Sequence, residues 1–289
     1  MEITPVPASA FACIITGAVL FIALPVIVAI VWKVTKKERM TTILAGALTF
    51  LLFAIILEKP IQNVLIFPTA MGLPDHAAAR FINARPVLWA ILVGLFPGLF
   101  EETGRLVAFK TLLRKRKNRE TAISHGIGHG GFEVIFILGV TYINNIIYAV
   151  MINSGSFQTL IDQVAAKAPE QVEQGYQIAA QLAAFSFGDL AIGLVERVFA
   201  VAFHIGASML VFYACKDRRK FWLYPLAILI HTLMDAIAGL VLAGVITISD
   251  WGIEAVCGVI GIGLFLAAYL LLYRKDREVS GKDSGINAA

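Results

Sequence analysis

Seven stretches of this chain are apolar for long enough to cross a bilayer, and that fixes the class of fold before any motif is read. A hydrocarbon core takes about 20 helical residues to cross. The stretches lie near 8–32, 40–57, 87–112, 121–151, 188–214, 221–247 and 252–273. With no water available inside the bilayer, each backbone N–H and C=O must be paired internally, so such spans fold as helices. The expected fold is all-α: a polytopic transmembrane helix bundle of about seven spans around an intramembrane polar cavity, one membrane domain over 1–289. Composition agrees, with 58% of residues hydrophobic and 15% charged, against about 25% charged in soluble domains.

The loops between spans alternate in charge. Lys33, Lys36, Lys37 and Arg39 follow the first span, Arg114, Lys115, Arg116, Lys117 and Arg119 the third, Lys216, Arg218, Arg219 and Lys220 the fifth, and Arg274, Lys275, Arg277 and Lys282 the last. The opposite loops hold Lys59, Arg80, Arg85 and Lys167. Basic loops stay in the cytoplasm, so the expectation is a multi-pass cell-membrane protein with its N-terminus outside and its C-terminus in the cytoplasm. The net charge of +4 resides in these short loops and points to the lipid bilayer rather than to nucleic acid. Cys13, Cys215 and Cys257 lie in separate apolar segments and imply no disulfide framework. The opening Met1-Glu-Ile-Thr-Pro lacks the basic region of a signal peptide, so the first span reads as retained.

Two outside loops are long. Residues 58–86 carry Pro60, Pro68, Pro74 and Pro86 and read as irregular. Residues 152–187 read as an amphipathic connector, with Phe157, Leu160, Ile161 and Val164 at helical spacing and a second helix opening at Pro169. A plain connector is the alternative. Residues 276–289 read as a flexible cytoplasmic tail.

Ionisable side chains inside the spans are the functional signal, because a charge at a helix centre costs roughly 2.5–3.5 kcal/mol on insertion scales. The third span holds Glu101, Glu102 and Arg105, and the fourth His125, His129 and Glu133. The fifth holds Glu196, Arg197 and His204, and the sixth His231 and Asp235. At 1.5 Å per residue, Glu101, Glu133 and Asp235 lie about 20 Å from the basic ends of their spans, and His129, His204 and His231 about 15 Å. The groups therefore share one level. Residues four apart share a helix face, which pairs Glu101 with Arg105, His129 with both His125 and Glu133, and His231 with Asp235. Glu196–Arg197 reads as a structural ion pair, His125 as interfacial and structural, and His76 as an ordinary surface histidine. His129, His204, His231 and the Glu101–Glu102 pair read as functional, since a bundle needs no three buried histidines for stability. The dense glycines, Gly126-x-Gly128-His-Gly130-Gly131 above all, fit either close helix packing or a surface approached by a substrate backbone.

A glutamate beside an arginine with histidines nearby suits hydrolysis, with the carboxylate taking a proton from water and a donor stabilising the oxyanion. Alternatively His129, His204 and His231 with a carboxylate could ligate a metal such as zinc. No serine or cysteine stands out as a nucleophile, and no HExxH is present.

Glu101-Glu-Thr-Gly-Arg105 resembles the EExxR/EExxxR motif of the CPBP intramembrane proteases, the group of the CAAX-processing and PrsW enzymes. His231-x-x-x-Asp235 resembles their third motif, HxxxN/D. Gly128-His-Gly-Gly-Phe-Glu133 and Glu196-Arg197…His204-x-x-x-Ser208 resemble the YhfC family more closely. The resemblance covers spans three to six. It implies an eight-helix or similar bundle with a water-filled cavity open to cytosol and lipid. It also implies an endopeptidase acting on a membrane protein or peptide substrate. Glu101 or Glu102 would then be the water-activating base, positioned by Arg105, with His204, His231 and Asp235 in the second and third motifs. The second motif's FxxxH is not met, since Ala200 stands four residues before His204. His129 and Glu133 belong to the YhfC-like pattern. The first motif supplies a base, so the reading favours a glutamic-type mechanism and leaves a metal-dependent one open, with no certain cofactor. A transporter or proton- or ion-binding protein is the rival class, weakened by the lack of inverted repeats.

Cysteine labelling tests the topology: sites introduced after Arg39, Lys117, Lys216 and Arg274 should all report cytoplasm. One outside label among them breaks the alternation.

Overall fold

The computed structural model describes residues 3–276; the tail from 277 on, with Arg277 and Lys282, lies outside them. The described residues are helices and short connections, without a strand. In chain order the helices are α1 Ala8–Lys36, α2 Met40–Ile66, α3 Ala77–Asn83, α4 Pro86–Lys110, α5 Glu120–Asn153, α6 Phe157–Lys167, α7 Val172–Ala184, α8 Phe187–Lys216, α9 Leu223–Leu242 and α10 Asp250–Tyr273. Among the described residues seven are long and apolar enough to span a membrane, all but α3, α6 and α7. Large apolar side chains such as Leu229, Val259 and Leu271 are exposed, as suits a surface solvated by lipid. Of the seven, α8 is the most deeply buried.

The second span is longer than the sequence expectation. Instead of ending at 57 it runs to Ile66 through a π-helical stretch, Leu51–Glu58. Glu58 lies in the stretch expected to be irregular loop, yet its side chain is buried and ion-paired to Lys59 Nζ at 3.5 Å. The loop that follows is also partly helical, with α3 capped by His76, whose ring accepts the Ala79 N–H at 3.2 Å.

The chain forms two compact units, residues 1–27 with 133–195, and residues 28–132 with 196–289. In the first, α1 meets α5 where Gly17 lies against Tyr142, and the Tyr142 ring packs on Phe21 at 4.9 Å and Phe185 at 5.9 Å. The Asn153 amide clamps the backbone of Val6, accepting its N–H at 2.8 Å and donating to its C=O at 3.1 Å. In α6, Phe157 and Ile161 are buried while Asp162, Gln163 and Lys167 are exposed, so the amphipathic pattern turns its apolar side into the protein.

The second unit positions the polar residues, through seams of small residues. Gly94 and Gly98 of α4 face Ala236 and Thr232 of α9, and Gly239 of α9 faces Ala90 of α4. This antiparallel seam brings His231 opposite Glu102. On α5, a Cβ at Gly128 would stand 1.8 Å from the Ile43 carbonyl oxygen of α2, and one at Gly126 would stand 2.5 Å from Ile205 Cα of α8. The glycine run therefore serves helix packing. Pro97 within α4 has no N–H to give the Val93 carbonyl four residues earlier. Gln62 of α2 supplies the missing donor, Nε2 to Val93 O at 3.3 Å, so that no carbonyl is left bare in hydrocarbon.

Gly128→Ala should lower stability by about 1–3 kcal/mol, the usual cost of overpacking, read as a reduced Tm of the detergent-solubilised protein. Gly263→Ala, with nothing within 4 Å of its Cβ position, should leave Tm unchanged.

Candidate active site and metal centre

Four helices of the second unit deliver their ionisable groups to one buried cluster. Glu101, Glu102 and Arg105 of α4, His125 and His129 of α5, His204 of α8 and His231 of α9 are all buried, with Arg105 and Glu102 at zero exposure. Helical spacing explains the grouping on each element: residues three or four apart share a face, so α4 turns both glutamates and the arginine to one side.

Arg105 is the hub. Its Nη1 donates to Glu102 Oε1 at 2.5 Å, Nη2 to His204 Nδ1 at 2.6 Å and Nε to Ser208 Oγ at 3.3 Å, while Nη2 stands 3.8 Å from Glu101 Oε2. A guanidinium can only donate, so His204 accepts at Nδ1. The same rule orders a longer chain. Thr49 Oγ1 donates to the Ala45 carbonyl at 2.7 Å, which leaves it to accept from His125 Nε2 at 3.2 Å. His125 Nδ1 then accepts from Ser208 Oγ at 3.2 Å. His125 is thus fully buried and ties α2, α5 and α8 to the arginine, where the sequence reading had it at the interface.

The two glutamates have different surroundings. Glu101 Oε2 meets His129 Nε2 at 2.8 Å and lies 4.0 Å from His204 Nδ1. Glu102 Oε1 is shared by Arg105 and His231 Nδ1, the latter at 2.8 Å, while its Oε2 has no hydrogen-bond partner. His231 Nε2 is 3.5 Å from Asp235 Oδ2, and its ring packs edge-on to Phe203 at 4.8 Å. Asp235 is the most exposed member, at 30% of its side chain. Glu133, one turn beyond His129 on α5, is half-buried and belongs to the other unit. Glu196 and Arg197 bond to each other on α8 and interact electrostatically with Glu254 of α10. Thr49, Ser208 and Glu254 carry roles that the spacing of charged residues did not assign; Ser208, four residues after His204, had the helical signal.

One ligand atom each from Glu101, His129 and His204 lie within 4.8 Å of one another. Two imidazoles and a carboxylate are a donor set that zinc takes in catalytic sites. The remaining nitrogen of His129, Nδ1, is buried without a hydrogen-bond partner. The residues therefore fit a divalent metal.

A family model described as YhfC intramembrane metalloprotease matches residues 20–257. A curated relative, "Uncharacterized membrane protein YhfC" of Bacillus subtilis (strain 168), is 32% identical over 232 residues, 80% of this chain and 84% of that protein. No solved structure matches.

Arg105→Met leaves the Glu102 charge buried without its cation, and removing one partner of a buried pair costs about 3–5 kcal/mol. The Tm in detergent should fall accordingly. Arg105→Lys should lose less, keeping the charge but not the fork that reaches Glu102, His204 and Ser208 together.

Proposed function

The chain belongs to the YhfC intramembrane metalloprotease family, and on that premise we propose that it is a metal-dependent endopeptidase that cleaves membrane-embedded or membrane-associated protein segments. The convergence of Glu101, His129 and His204 at one buried point carries the reading. These three would hold the metal, zinc by donor type; bound there, it would make a water nucleophilic and polarise the scissile carbonyl.

The remaining residues do the work around that centre. Arg105 and His231 fix Glu102 by its Oε1, which leaves Oε2 to take the proton of the attacking water. His231, set between Glu102 and Asp235, orients the base and can hand the proton on from one ring nitrogen to the other. Ser208, His125 and Thr49 keep Arg105 in place. Low water access inside the bundle strengthens each of these electrostatic contacts. The basic loops support the orientation with the N-terminus outside, which puts this cluster in the middle to cytoplasmic half of the membrane.

Purified protein should contain about one zinc per chain by elemental analysis, because three protein ligands plus water complete a catalytic zinc site. Glu101→Gln, His129→Ala and His204→Ala should lose both the metal and cleavage. Glu102→Gln should keep the metal and lose on the order of 10²–10⁴ in rate. Cleavage that survives chelation in metal-free protein would return the mechanism to water activated by glutamate alone. Cleavage unchanged in both Glu101→Gln and Glu102→Gln would reject the peptidase and favour a transporter built on the same polar cluster.

A further inference from the structure

An apolar groove of about 480 Å³ opens between α9 and α10. One wall runs from Trp222, just before α9, to Leu233, and the other from Val259 to Leu272 of α10; Leu210 of α8 also lines it. The lining is apolar side chains and glycine throughout. All of it belongs to the second unit, and the hydrolysis above uses none of it. Gly263 keeps the groove open, because a Cβ there would meet nothing within 4 Å. Its neighbour Gly261 is small for the usual reason: a Cβ there would stand 2.6 Å from the Phe199 carbonyl oxygen of α8. Gly263 serves no such helix contact.

Length and charge decide what fits. At 1.5 Å per residue the two walls are about 16 and 20 Å long, close to one leaflet of a roughly 30 Å hydrocarbon core. A helix of a partner protein or of a second copy crosses both leaflets, whereas a lipid acyl chain crosses one. The walls are antiparallel, so the ends at Trp222 and Leu272 lie on the same side of the membrane. Both end in bases: Arg218, Arg219 and Lys220 precede Trp222, and Arg274 and Lys275 follow Leu272. The carboxylates in these stretches are engaged. Asp217 accepts the Arg219 N–H at 2.9 Å, and Asp276 accepts from Tyr213 Oη at 3.0 Å and from Lys216 Nζ. Arg218, Arg219 and Arg274 are exposed, and none of the three is ion-paired to a described residue. Trp222 is exposed beside them, and an indole in that position sits at headgroup level. Basic pockets between membrane helices take anionic headgroups.

We propose that this groove binds one anionic phospholipid, with an acyl chain between α9 and α10 and the phosphate headgroup among Arg218, Arg219 and Arg274. Bound there, the lipid braces α9, which carries His231, against α10. Such a site needs no reaction, so it stands or falls apart from the peptidase reading.

Native mass spectrometry of the purified full chain in detergent, titrated with phosphatidylglycerol or with phosphatidylcholine of the same acyl chains, counts the lipids held and gives their Kd. One phosphatidylglycerol should bind about tenfold tighter than phosphatidylcholine and raise the Tm. Arg218→Gln combined with Arg219→Gln should remove most of that preference while leaving the lipid-free Tm unchanged. Gly263→Leu should fill the groove and weaken the binding of both lipids. Phosphatidylglycerol with brominated chains locates the site: part of the tryptophan emission it quenches should be missing from Trp222→Phe. Should Gly263→Leu fail to fold, the arginine variant and the quenching decide alone. Equal affinity for the two lipids, a preference unmoved by the arginine variant, binding unmoved in folded Gly263→Leu, or quenching undiminished in Trp222→Phe overturns the lipid site. A lipid-free dimer that Gly263→Leu converts to a monomer also overturns it, and gives the groove to a second copy of the chain.

Discussion

Arg105 is the interaction on which the second unit depends. A guanidinium at zero exposure is tolerable in an apolar bundle only when its donors are satisfied and its charge is matched. Here the match comes from α4 itself, through Glu101 and Glu102, and the remaining donors reach α8 at His204 and Ser208. Ser208 leads on to His125 and Thr49, so one side chain organises polar contacts from α2, α4, α5 and α8. Lysine could supply the charge but not the planar fork that addresses three acceptors together. The same arrangement that makes the charge bearable holds the histidines in place.

The class of fold was legible because hydrophobic length is a one-dimensional property: seven apolar runs become seven candidate spans. The grouping of Glu101, Glu102 and Arg105, and of His231 with Asp235, was legible because helical periodicity puts neighbours on one face. The candidate metal-binding set was legible only in part. His129 and His204 stood among the possible ligands read from the sequence, but with His231 and an unspecified carboxylate; Glu101, His129 and His204 come from three helices, and their meeting depends on how those helices pack. For that reason the motifs alone leaned toward a glutamate-activated water, while the converging ligand atoms and the family description support a metal. Thr49 escaped notice because threonine within a helix ordinarily bonds its own backbone, as it does here to Ala45; its second contact, to His125, needs the fold. Glu58 fell outside the expected second span, which stopped at 57, in a loop read as irregular from its prolines, Pro60 among them. Pro60 in fact sits in the first turn of a helical continuation, where a missing N–H is tolerated. The amphipathic pattern of α6 was plain in the sequence, but which surface its apolar side would cover was not.

The glycine contacts have a consequence for motion. Where Gly128 lies on the Ile43 carbonyl and Gly46 on the His125 carbonyl, α2 and α5 meet backbone to backbone. Gly126 on Ile205, and Gly94 on Ala236, do the same for α5 with α8 and α4 with α9. Side chains between helices act as a compressible layer, since they can change rotamer as one helix slides past another. Peptide groups in direct contact have no such freedom. The helices that carry the ionisable cluster are therefore held against shear along these seams, and sliding motions fall to the contacts where side chains intervene.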